Sequence, residues 1–173
     1  MLIVLIGYRG TGKTTVARLL AEKLSLDWID ADVEIERRAG KSIAEIFADQ
    51  GETAFRDLES EVTADLMSRK KLVVAAGGGA VMRRENREAL AAANMVVWLK
   101  ADAETVFERL SGDRASTARR PNLTATGGID EICELLAARE PIYRQCATCQ
   151  VDTVGKTPTD VVDEILSYLG EVA

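Results

Sequence analysis

The 173-residue chain contains no histidine, only three cysteines and three prolines, and few aromatics: three Phe, three Tyr and two Trp. Without an imidazole, any general base must be a carboxylate, a lysine or the substrate itself. The cysteines, Cys133, Cys146 and Cys149, are odd in number, and the CATC pair has neither a second CxxC nor a histidine to complete a zinc site. Buried free thiols are therefore expected. No apolar run reaches the length of a membrane span, and the first residues lack the charged and long apolar regions of a secretory signal. A basic surplus is also missing: 28 Asp and Glu outnumber 22 Lys and Arg, for a formal charge of -6 and a pI near 4.9. That balance argues against a nucleic-acid partner, which needs a basic face. A soluble, cytoplasmic, monomeric protein with no membrane partner is the expectation.

What is present is ordinary globular composition, 47% hydrophobic and 29% charged. The length suits one compact domain over residues 1–173. Short apolar runs alternate with longer amphipathic stretches, the pattern of a parallel sheet covered by helices. LIVLI, DWIDAD, LVVAA, MVVWL and CQVDT are the strand candidates. TTVARLLAEKL, NREALAAA, AETVFERL, IDEICELLAAREPIYRQ and TDVVDEILSYL carry helical spacing. Two segments break the alternation: a multi-helix insertion over about 33–71, and a polar, basic, glycine-bounded stretch over about 112–126.

Residues 7 to 14 read GYRGTGKT directly after the first apolar run, and match GxxxxGK[ST] at Gly7, Gly12, Lys13 and Thr14. Glycines let successive backbone N–H groups wrap a phosphate at a helix N-terminus, the lysine reaches the β and γ phosphates, and the threonine hydroxyl ligates Mg²⁺. The preceding strand and following helix supply the context that the pattern requires. Gly10, Thr11 and Thr15 complete the nucleotide-binding set of this loop.

In an open parallel sheet, ligands sit outside the carboxyl ends of the strands. Asp30 and Asp32 fall at the end of the second strand candidate, spaced to point the same way, and suit Mg²⁺ organisation and hydrogen bonding to a hydroxyl acceptor. Either could also cap the following helix. Gly77, Gly78 and Gly79 follow the third strand, where three adjacent glycines imply close approach of a ligand, a tight turn, or both.

Taken together, these landmarks resemble the shikimate kinase family: GxxGxGKT at 7–14, DAD at 30–32, IExxxGKSIAEIF at 35–47, GExxFR at 51–56, GGG at 77–79, RRP at 119–121 and REPIYR at 139–144. They span nearly the whole chain in the family's order. The resemblance implies a P-loop NTPase three-layer α/β fold with a five-stranded parallel sheet in the order 2-3-1-4-5. It implies ATP and Mg²⁺, phosphorylation of the 3-hydroxyl of shikimate, and a place in the route to chorismate and aromatic amino acids.

Residue by residue, the resemblance assigns the substrate's carboxylate to Arg56 and Arg139, groups whose guanidinium forks suit a planar carboxylate. Without the REPIY pattern, Arg139 would read as a surface arginine. Asp32 is implied to hold ring hydroxyls and take or polarise the attacking proton, while Asp30 organises Mg²⁺ with Thr14. Gly78 and Gly79 would offer backbone contacts. Glu59, one turn beyond Arg56, can orient that guanidinium, and Phe47 and Phe55 wall the pocket or simply fill core. The 112–126 stretch is similar to the family's mobile lid, with Arg120 as its phosphate-directed arginine. Arg109 is implied to pack on adenine, with Lys156 and Pro158 in the adenine-side loop. The chain departs from the family in having Lys156 where arginine is common, Asn122 in the lid, and Ala31 within the DAD motif.

Overall fold

The computed structural model describes residues 1–112 and 128–172. Five parallel strands, β1 (Leu2–Ile6), β2 (Asp27–Asp30), β3 (Leu72–Ala75), β4 (Met95–Lys100) and β5 (Cys149–Asp152), form one sheet in the order β2-β3-β1-β4-β5. This is the implied P-loop kinase order. The helices are α1 (Lys13–Leu24), α2 (Ala31–Ala39), α3 (Ile43–Ser68), α4 (Arg84–Leu90), α5 (Ala103–Gly112), α6 (Gly128–Cys146) and α7 (Pro158–Val172), with a 3₁₀ turn at Ala80–Met82.

Alternation along the central strand divides the core in two. Leu2, Val4 and Ile6 of β1 face one side, where they pack with Ile35, Val62, Leu66 and Tyr143 from α2, α3 and α6. Ile3 and Leu5 face the other, against Val16 and Leu20 of α1 and Val161 and Ile165 of α7. Both faces of the parallel sheet are thus covered, and its inner strands read as continuous apolar runs. The three cysteines are free, but Cys133 is exposed and the other two are half-buried, so the expectation of fully buried thiols is corrected.

Register decides which residues meet at the carboxyl edge. Asp30 pairs with Ala75, and Ala75 with Leu5. The end of β2, the glycines after β3 and the loop after β1 are therefore adjacent.

One local element differs from the strand reading of DWIDAD. The strand stops at Asp30, whose carboxylate accepts from the backbone N–H of Asp32 at 2.9 Å and of Val33 at 3.4 Å and so caps α2. Asp32 lies in the first helical turn, not in the strand, and Ala31 is buried in the core. Capping wins because the four N–H groups that open a helix need acceptors, and an aspartate at this position supplies one. The insertion forms α2 and α3, the latter opened by a capping box from Ser42 and Glu45 and broken at Gly51 (φ 82°, ψ 175°). The break separates Ile43 and Phe47 from Phe55, Arg56 and Glu59, and lets both groups face one cavity.

Among the described residues, no helix is long and apolar enough to cross a membrane. Gly112, where the polar stretch was expected to begin, is the last residue of α5, and Arg120, Asn122 and the rest of that stretch lie outside the described residues.

Candidate active site

The loop after β1 curves tightly: Gly7 has φ +141°, and a Cβ there would sit 2.4 Å from the Leu99 carbonyl oxygen. Only glycine fits. At its end, α1 begins on Lys13, so that Gly10, Gly12, Lys13, Thr14 and Thr15 line an open cavity. The Lys13 ammonium donates to the carbonyls of Gly7 and Tyr8, each at 2.8 Å. Thr14 Oγ1 donates to Asp30 Oδ2 at 2.5 Å, which places a hydroxyl and a carboxylate side by side at the cavity's edge. Thr11 contributes differently from its neighbours. Its hydroxyl is buried and donates to the Tyr8 carbonyl, and it is not among the cavity's lining residues.

Arg109 reaches this cavity from α5, donating to Thr153 Oγ1 at 3.0 Å, to the Thr153 carbonyl at 2.8 Å and to the Gly10 carbonyl at 3.4 Å. It ties the loop after β5 to the loop after β1. Lys156 and Pro158 are not among the cavity's lining residues. The Lys156 ammonium is paired with Glu164, and Pro158 opens α7 at the position where its missing N–H costs nothing.

A second cavity adjoins the first, sharing Arg9 and Asp32 with it. Its polar walls are Arg9, Asp32, Arg56, Glu59 and Arg139, and Phe47 and Phe55 form an apolar wall with ring centroids 4.8 Å apart. Arg56 donates to Glu59 at 2.8 Å and lies over the Phe55 ring at 5.1 Å, two contacts that fix the plane of its guanidinium. Glu59 is itself buried, and that burial pushes its carboxyl above the usual carboxylate range despite the opposing Arg56. Arg139 is buried on α6, not on the surface, and donates to the Gly78 carbonyl at 3.3 Å. The same carbonyl accepts from the Tyr143 hydroxyl at 2.5 Å. Burial holds that phenol protonated, its pKa pushed up to about 12.

Charged side chains crowd two of the three glycines. A Cβ on Gly77 would lie 2.8 Å from Glu59 Oε1 and 2.9 Å from Asp32 Oδ1, and one on Gly79 would lie 2.7 Å from Arg56 Nη1. The tight turn expected of the GGG run is present, and charged groups of the cavity press directly against it.

Of the residues singled out in the sequence, Asp32, Arg56, Gly78, Gly79 and Arg139 converge on the second cavity, and Gly10, Gly12, Lys13, Thr14, Thr15, Asp30 and Arg109 on the first; Thr11 lines neither. Asp32 lines both. Sequence reasoning missed Arg9 and Tyr143. Arg9 occupies a variable position of GxxxxGK, so the motif gives it no role. Tyr143 stands four residues after Arg139, a spacing that puts both on one helix face and could have flagged it.

The arrangement can seat a polyphosphate beside a small carboxylate-bearing molecule, with an acidic side chain at the boundary. The family model described as shikimate kinase matches residues 9–170. A shikimate kinase of Symbiobacterium thermophilum is 44% identical over 99% of this chain and 97% of its own. One from Rhodopirellula baltica is 43% identical over 95% of this chain and 88% of its own. Among solved structures, a shikimate kinase from Acinetobacter baumannii in complex with shikimate superposes with a TM-score of 0.91 at 38% identity, covering 98% of this chain and 93% of that one.

Proposed function

The chain belongs to the shikimate kinase family, and on that premise we propose that its adjoining cavities hold ATP and shikimate for phosphoryl transfer to the 3-hydroxyl, giving shikimate 3-phosphate and ADP. The observation that carries this reading is Asp32, which lines both the phosphate cradle and the guanidinium-walled cavity. The reaction belongs to the shikimate pathway, and the whole chain acts as one cytoplasmic, monomeric kinase domain. The assignment of the 112–126 stretch as a lid and of Arg120 to the phosphates is part of the same reading and lies, beyond Gly112, outside the described residues.

Arg56 and Arg139 grip the substrate carboxylate, their guanidinium groups held by Glu59 and by the Gly78 carbonyl respectively. Gly78 and Gly79 lie against the ring. Asp32 accepts a hydrogen bond from the 3-hydroxyl. As the hydroxyl oxygen bonds to the γ-phosphorus, its proton passes to Asp32, and the bond from that phosphorus to the β,γ-bridging oxygen breaks with its electron pair leaving on ADP. Lys13 and the backbone N–H groups of 10–15 follow the phosphate charge, and Arg109 lies against the adenine. Thr14 and Asp30 offer the oxygen donors that a hard cation prefers while it retains several waters. These two residues would hold Mg²⁺, which would supply charge neutralisation for the phosphates.

The test is ADP release measured with and without shikimate, beside calorimetry of shikimate binding. Release is expected to depend on shikimate, and Arg56→Ala or Arg139→Ala to weaken shikimate binding by roughly 2 to 5 kcal/mol, as for a buried charge pair that loses one partner. ATP hydrolysis indifferent to shikimate, or unaltered shikimate affinity in both variants, would sink the reading.

A further inference from the structure

The two cavities meet at a seam, and among the described residues two side-chain-bearing residues line both: Asp32 and Arg9. Arg9 is held from several directions. Its side chain is 15% exposed, its guanidinium lies over the Tyr8 ring at 5.8 Å, and Nη2 reaches Glu131 on α6 at 3.4 Å. Its backbone N would lie 3.2 Å from a Cβ on Gly78, so the absence of a side chain there lets this segment pack against the glycine turn. Nε is buried and has no hydrogen-bond partner. A buried guanidinium donor without a partner calls for an explanation. The single long contact to Glu131 leaves most of its donors for a ligand.

On the shikimate kinase reading, Arg9 is the cationic side chain among the described residues that lines both cavities, and it would act beside the Arg120 of that reading. Arg56 and Arg139 are engaged by the substrate carboxylate, and Lys13 lies on the cradle side, absent from the walls of the second cavity. Asp32 at the seam repels an anionic group arriving from the cradle. We propose that Arg9 is a catalytic residue, whose guanidinium holds the equatorial oxygens of the phosphoryl group as it crosses from the cradle to the acceptor and offsets the Asp32 charge. The same contact persists to the phosphate of the product. The reacting bonds are those described above: Arg9 supplies charge and hydrogen bonds and exchanges no proton.

Arg9→Gln and Arg9→Lys test this, with kcat, the KM of each substrate, and calorimetric affinities for shikimate and shikimate 3-phosphate. For Arg9→Gln, kcat falls about 10²-fold, the cost of losing one preorganised charged donor. Affinity for shikimate 3-phosphate falls about 30-fold while that for shikimate changes less than about 3-fold, because only the product carries the phosphate. Arg9→Lys recovers part of kcat, since a point charge replaces the fork. A merely structural arginine would instead lower the thermal midpoint and weaken both ligands alike, and that result overturns the proposal. So does a kcat within about threefold of wild type in a folded Arg9→Gln protein. Absence of shikimate-dependent ADP release in the wild type is a different result, which overturns the kinase reading itself and the Arg9 role with it.

Discussion

Replacing Gly79 by alanine adds one methyl group to a backbone that alanine adopts without strain, φ -105° and ψ 0°. The substitution therefore isolates a steric effect. The new Cβ would stand 2.7 Å from Arg56 Nη1 and 2.9 Å from Nη2, where ordinary contact begins at 3.4 Å. The guanidinium must retreat by the difference, 0.7 Å at Nη1, and it is free to do so because it is the end of a flexible side chain. That retreat spoils the 2.8 Å bond to Glu59 and turns the fork away from the substrate carboxylate. A charge-assisted bond of this kind contributes about 1.5 to 3 kcal/mol, so shikimate Kd is expected to rise about 10- to 150-fold. Neither Gly79 nor Arg56 lines the phosphate cradle, and ATP affinity should stay within about twofold. Calorimetric titration of the variant with each ligand checks both numbers. Unchanged shikimate affinity, or an equal loss for ATP, refutes the claim that Gly79 is small to make room for Arg56.

Lys13→Met removes the ammonium that spans the Gly7 and Tyr8 carbonyls, and turnover should fall at least about 10²-fold while cooperative thermal unfolding persists; near-normal turnover in the folded variant would contradict the cradle assignment. Tyr143→Phe keeps the ring stacked on Trp98 at 5.8 Å but frees the Gly78 carbonyl of its shortest donor. Urea unfolding should show a loss of about 1 kcal/mol, with shikimate KM raised about fivefold and ATP KM unchanged; a shift in ATP KM alone would count against it. Glu34 is held at a pKa of about 2 by its hydrogen bonds to Arg37 and Arg38. Because it gives up its proton more readily folded than unfolded, its contribution is complete above pH 4.5 and lost as pH falls towards 2. Arg37 is largely exposed, so the contribution is about 1 kcal/mol, and the stability difference between wild type and Glu34→Gln, followed by urea midpoints, should close over that interval. A gap that stays constant to pH 3 would assign the effect to packing.

The alternation of apolar and amphipathic runs was enough to read the strands and helices, because a parallel sheet covered on both faces imposes a different period on each. Pro141 did not mislead, since the helical spacing continues through it and α6 does as well. Asp30 and Asp32 were legible as a pair, yet their geometry was not: the spacing suits a strand, and only the competition for helix N–H groups moves Asp32 into α2. The break at Gly51 was similarly hidden, since apolar spacing on both sides of it is helical. Arg9 and Tyr143 escaped notice because their importance comes from partners far along the chain. Glu131 lies 122 positions from Arg9, and Gly78 lies 65 positions from Tyr143. For Tyr143 the spacing from Arg139 was the one local clue; for Arg9 there was none.

The lysine of the cradle rests on the loop's own carbonyl oxygens, which on the proposed reading makes nucleotide uptake an exchange of hydrogen-bond acceptors at the ammonium. Each incoming phosphate oxygen competes with a neutral acceptor already at 2.8 Å and already organised. A singly charged anion gains little from that exchange, because what it gives the ammonium it takes from the loop. A chain of linked phosphates gains at several positions at once, from the lysine, the helix N-terminus and the backbone N–H groups together. On the proposed reading, the loop is expected to discriminate by ligand charge density, favouring linked phosphates over inorganic monoanions.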